Sequence, residues 1–113
     1  EIKQWTQDLT HVDRLDVTLI FGREDGKKVI TSFAVSYSTK IEEEWHEVIR
    51  YDTAHGFLHV QRFWRSPEPV PLPEFERIPY GKLVNQFVDE ITDNMTRYRS
   101  YIEVKSREKG GRI

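Results

Sequence analysis

Cysteine is absent from the 113 residues, which excludes disulfide stapling and thiolate chemistry and makes a cytoplasmic setting the expectation. Long apolar runs are missing too. Stretches such as residues 19–21 fall far short of the roughly 20 residues a membrane helix needs, so no membrane partner is expected. Neither sign of charge dominates: 17 basic and 19 acidic residues leave a net charge of -2, and a nucleic acid would have to be met by a local patch. Also lacking are a Gly-rich phosphate loop, a paired cysteine set, a nucleophile elbow and a dinucleotide fingerprint, which removes the enzyme classes that depend on them.

What is present suits one domain spanning 1–113. Hydrophobic residues make up 37% and charged residues 32%, enough for a small core under heavily charged cover. Residues 1–13 carry no readable element beyond Trp5 and Leu9, four apart. From Leu15 the apolar residues alternate through Val17, Leu19 and Phe21, the period of a half-buried strand. A turn at Glu24-Asp25-Gly26, read as a three-residue loop, pairs Phe21 with Val29 and Val17 with Phe33 and aligns the apolar sets. A two-residue loop at Asp25-Gly26 would place them on opposite faces.

A second hairpin is read from Glu44 to Trp64 about the turn Thr53-Ala54-His55-Gly56. Pairing Tyr51 with Leu58, Ile49 with Val60 and Trp45 with Trp64 gives an apolar face. The opposite face then collects His46, Arg50, Asp52, Phe57, His59, Gln61 and Phe63, with Arg50 directly across from His59. All five prolines fall between Ser66 and Pro79, which predicts a stiff crossing loop without regular structure. From about Gly81 to Glu103 the apolar residues Leu83, Phe87, Ile91, Met95, Tyr98 and Ile102 recur at steps of three and four, the stripe of an amphipathic helix. The basic tail at 105–113 is expected to fray. The resulting fold class is α+β, a four-stranded antiparallel β-meander with a long C-terminal helix packed on one face.

The convergence of Arg50, Asp52, His55 and His59 at one hairpin end is the candidate catalytic set. Two histidines can take and give a proton near neutral pH, a carboxylate can orient them, and a guanidinium can stabilise developing negative charge. These are the groups that metal-independent cleavage of RNA requires. No metal and no cofactor are expected, because the histidine spacing matches no ligand motif. Phe57, Phe63, Gln61 and His46 are the candidate nucleic-acid or interface residues, through base stacking or through a homodimer or protein partner. A solvated polar face bearing surface ion pairs would carry the same residue types.

The run Arg50-Tyr51-Asp52-Thr53-Ala54-His55-Gly56, followed by His59, resembles the Arg-aromatic-Asp-Asn-Ala segment and later histidines of the small TumE-like toxin family. Thr53 stands where that family has asparagine, and a single His55 with Gly56 replaces its proline and doubled histidine. The resemblance implies a toxin-like module acting on RNA beside an antitoxin-like protein, with Arg50, Asp52, His55 and His59 as the positions carried over. It extends equally to uncharacterised small prokaryotic proteins with a similar segment, for which no activity is implied. The alternative reading is a non-enzymatic interaction or oligomerisation domain.

Overall fold

The computed structural model describes residues 1–110, with side chains through Glu108. An antiparallel sheet of six strands in sequence order, β1 (Ile2–Thr10), β2 (Asp13–Glu24), β3 (Lys27–Ile41), β4 (Glu44–Asp52), β5 (His59–Arg62) and β6 (Val70–Pro71), is covered on one face by the helix α1 (Tyr80–Gly110). The α+β meander and its covering helix are therefore present, with six strands rather than four. Both additions come from stretches with weak patterns. β1 forms from the unassigned amino-terminal residues, and β6 is a two-residue edge piece inside the proline segment. There Leu72 N donates to Leu58 O at 3.0 Å, and Pro71, which has no donor to offer, closes the ladder at the sheet edge.

The helix face that docks on the sheet is the stripe the period predicts: Leu83, Val84, Phe87, Ile91, Tyr98 and Ile102 are buried against Phe33, Val35, Tyr37, Ile49, Tyr51 and Val60. Its extent is larger than expected, since residues 105–110 continue the helix; residues 111–113 of the expected tail lie outside the described residues. Arg99, which the helical period places on the solvated side, instead reaches the sheet, donating to Thr39 Oγ1 at 2.8 Å and Lys40 O at 3.4 Å.

Two β-bulges decide which side chains face which way. The β2–β3 turn is the two-residue one, with Asp25 (φ 52°) and Gly26 (φ 78°) both left-handed and Glu24 opposite Lys27. The apolar sets nevertheless share a face, because Phe21 opposes Ile30 while Ile20 opposes Ser32. The extra residue Thr31 flips the parity of β3, so that Leu19 meets Phe33 and Val17 meets Val35. Gly22 fits beside this bulge because a Cβ there would lie 2.8 Å from Thr31 Cγ2. In β4 the bulge is at Val48: Tyr37 opposes Ile49 but Ser38 opposes Glu47, so Val48 and Ile49 are both buried. Upstream of it the faces exchange. Trp45, expected in the core, emerges on the uncovered face, 36% exposed, with the Arg14 guanidinium 4.0 Å and the Lys40 ammonium 5.3 Å from its ring centre.

Candidate functional site

The central hairpin is longer in its loop than expected. Asp52 opposes His59, Arg50 opposes Gln61 and Tyr51 opposes Val60, a slip of two residues from the predicted register. Such a slip keeps every side chain on its predicted face but changes its neighbours. Arg50 is therefore not across from His59; Asp52 is. The loop between the strands holds a single 3-10 turn, Ala54–Gly56, entered through Thr53, whose hydroxyl receives the Phe33 N–H at 2.9 Å and lies 2.7 Å from the Ser32 hydroxyl. Those bonds pin the end of β4 to β3. His55 follows with a left-handed backbone (φ 67°) and an exposed side chain, and Gly56 continues at φ 83°.

Around Asp52 the polar groups are closely matched. Arg50 Nε donates to Asp52 Oδ2 at 2.7 Å, Ala54 N donates to Asp52 Oδ1 at 2.7 Å, and Arg50 Nη1 lies 3.3 Å from Glu47 Oε2, which also accepts from the Ser36 hydroxyl. Burial alone would raise the Asp52 carboxyl. The hydrogen bonds from Arg50 and Ala54, with the charges of Arg50 and His59, outweigh it and hold the group below the usual carboxylate range. His59 is only 3% exposed, and its Nδ1 sits 3.2 Å from Phe57 O. A carbonyl oxygen only accepts, so Nδ1 carries a proton; were the imidazole neutral, its lone pair would lie on Nε2. The His55 and His59 rings are 6.5 Å apart, and the Phe57 ring, 37% exposed, tilts against His59 at 5.2 Å.

Asp52, His55, His59 and Phe57 are thus brought together, with Arg50 beside them. The remaining predicted residues are not. Gln61 is on the same face but commits its amide to Pro67 O at 2.8 Å. His46, displaced by the Val48 bulge, lines a groove of about 410 Å³ with Phe63, Ile102, Lys105 and Ser106 at the far end of the helix. Phe63 packs against the core instead of the polar face, its N–H donating to Val48 O at 3.0 Å. An exposed face formed jointly by Phe57, Phe63 and His46 therefore does not exist. Among the described residues, no group of three or more His, Asp or Glu side chains is placed to hold a metal ion, and no helix is long and apolar enough to cross a membrane.

Two features escaped the sequence pattern. One is a buried carboxylate, Asp13, which gathers Thr10, Tyr37, Thr39 and Arg99 at the base of the β1–β2 turn. The other is β1 itself, a nine-residue edge strand whose residues 2–8 are exposed on both faces. Fold and site together define a two-layer α+β domain in which one face and one edge of an antiparallel sheet are left open. The chain belongs to the DUF7718 family, a domain of unknown function, whose model matches residues 1–108. No curated protein and no solved structure matches the chain.

Proposed function

We propose that this chain is a non-enzymatic interaction module that docks through the free edge of β1. The observation that carries this reading is the strand itself: Ile2–Thr10 pairs with β2 along one side, while its other side, from Ile2 to Asp8, presents backbone donors and acceptors that are unpaired among the described residues. Such a row is a template for another strand, and extended edges of this kind are usually blunted or covered. The polar cluster argues in the same direction. Arg50 is already shared between two carboxylates, Asp52 is a weakened base, and His59 is nearly sealed from solvent. A photoactivatable cross-linker placed at Gln4 in the expressed protein is expected to yield a covalent protein adduct, while the same group at Asp93, on the exposed side of the helix, yields none. Absence of any adduct at Gln4 would remove this reading.

A second reading, favoured by the cross-strand approach of Asp52 to His59 with His55 nearby, is a TumE-like module acting on RNA without metal. In it His59 Nε2 would take the ribose 2′-hydroxyl proton, His55 would protonate the leaving oxygen, and Arg50, released from Glu47, would stabilise the phosphorane charge. Induced expression with RNA integrity followed over time separates the two. Under the interaction reading wild type, His59→Ala and Arg50→Ala leave growth and RNA alike unchanged. RNA loss with wild type that both folded variants abolish would establish the catalytic one.

A further inference from the structure

The geometry of β1 points to a second copy of the same chain as its occupant, an inference that rests on the docking reading above. The Phe21 N–H donates to Glu1 O at 2.9 Å, and Ile2 opposite Ile20 is the next pair along the ladder. In an antiparallel ladder alternate residues bond inward. Glu1, Lys3, Trp5 and Gln7 therefore spend their backbone groups on β2, and Ile2, Gln4, Thr6 and Asp8 direct theirs away from the sheet. These outward residues are spaced evenly about Trp5. A two-fold axis through Trp5, perpendicular to the sheet, sets Ile2 of one copy against Asp8 of the other and Gln4 against Thr6, and satisfies both backbone bonds at all four outward positions. Moving the register two residues one way leaves Ile2 without an outward-facing partner, because the bulge at Leu9 interrupts the pattern, and moving it two residues the other way takes Trp5 off its own copy and onto Lys3.

The side chains agree with that register. Trp5, 44% exposed on its own chain, meets its own copy in a non-hydrogen-bonded pair, the closer of the two antiparallel pairings, where aromatic cross-strand contacts are most favourable. Lys3 falls opposite Gln7, and Asp8 opposite Ile2, so no like charges meet, and Lys3 lies diagonal to the partner indole. Both helices remain on the same side of the continuous sheet, which becomes twelve strands with β6 at each outer end. Because the pairing is self-complementary about a single residue, it closes as an isologous dimer and does not propagate into a filament.

The cysteine-free sequence makes the register directly testable. Opposed residues of a non-hydrogen-bonded pair are close enough for a disulfide, so a Trp5→Cys variant is expected to give a covalent dimer under mild oxidation, whereas Gln7→Cys, which would face Lys3, gives little. Light scattering of the wild type should show a dimer that dissociates on dilution. Gln4→Pro removes an outward N–H without removing a β1–β2 backbone bond, at the loss of the exposed Gln4–Thr18 side-chain bond, and should weaken association by about tenfold or more. A wild type that stays monomeric at high concentration overturns the proposal, as does cross-linking no faster at position 5 than at position 7. If either occurs while the Gln4 cross-linker captures a different protein, the edge docks something other than this chain. If the Gln4 position also captures nothing, the docking reading falls with it.

Discussion

Replacing Asp13 by alanine is expected to cost about 3 kcal/mol or more of unfolding free energy at neutral pH, one of the two largest single-residue losses anticipated. The Asp13 carboxylate accepts from Tyr37 Oη at 2.6 Å, Thr10 Oγ1 at 2.7 Å and Thr39 Oγ1 at 2.8 Å, and lies 3.6 Å from Arg99 Nη1. Tyr37 and Thr39 are fully buried, so truncation leaves the Tyr37 phenol facing a hole that has no acceptor, while the Thr39 hydroxyl keeps Val12 O at 3.0 Å. The pH dependence follows from the same contacts. Burial works to raise the Asp13 carboxyl, but the three hydroxyl bonds and Arg99 together hold it below its ordinary value. A depressed carboxyl contributes stability that is fully present above the unfolded value of about 3.9 and is lost as pH falls through the folded one. Urea unfolding at pH 7 and at successively lower pH should therefore show the gap between wild type and Asp13→Asn closing on the acid side. A gap of under about 1 kcal/mol at pH 7 for the alanine variant would mean that water replaces the carboxylate and the cluster is not structural.

Face patterns in the sequence determine strand registers only to within two residues, and that is where legibility ended. Both expected hairpins placed Leu15, Val17, Leu19, Phe33, Val35, Ile49, Tyr51 and Val60 on the buried side, where they are found. The β4–β5 pairing is two residues out of register, a shift that preserves every face and that nothing in the side-chain types penalises strongly. The β2–β3 pairing is one residue out beside its two-residue turn and two residues out beyond the Thr31 bulge, which restores the faces. Bulges are less visible still. Thr31 and Val48 are ordinary strand residues, and only Gly22, which makes room for Thr31, is an odd choice for a strand interior. The Val48 bulge alone moved Trp45 outward and carried His46 away from the polar cluster. Asp52 and His59 were legible as neighbours on one face but not as a directly opposed pair. β1 was illegible because Ile2, Trp5 and Leu9 are spaced as on a helix. An edge strand exposed on both faces has no buried side to impose alternation.

A Phe87→Ala variant is expected to lose about 3–5 kcal/mol, comparable to the Asp13 change but through packing instead of hydrogen bonding. Phe87 is the point at which helix, sheet and proline segment meet: its ring stacks on Tyr51 at 3.9 Å with the planes 2° apart, lies 6.2 Å from the Phe33 ring, and meets Phe75 in a perpendicular pair at 5.6 Å. Truncation opens a void bordered by three elements whose backbones are fixed by other bonds. Tyr51 cannot collapse into it, because its hydroxyl donates to Glu90 Oε2 at 3.1 Å, one turn further along the helix. Glu90 also receives the Tyr98 hydroxyl, whose pKa is pushed up to about 12 by burial first and by this bond and the carboxylate charge next. Phe87→Leu retains most of the volume and should cost well under half as much, while Val88→Ala, one position around the helix and only half-buried, should cost about 1 kcal/mol. The three variants compared by urea unfolding distinguish a keystone from a general helix-packing effect. Similar losses at positions 87 and 88 would place the docking energy along the whole helix stripe. For a domain of this size the expected loss at Phe87 is a large share of total stability, so near-ultraviolet circular dichroism should show the tertiary signal weakening at moderate temperature. β1 lies outside the helix footprint, so the self-association of whatever fraction remains folded should be unchanged.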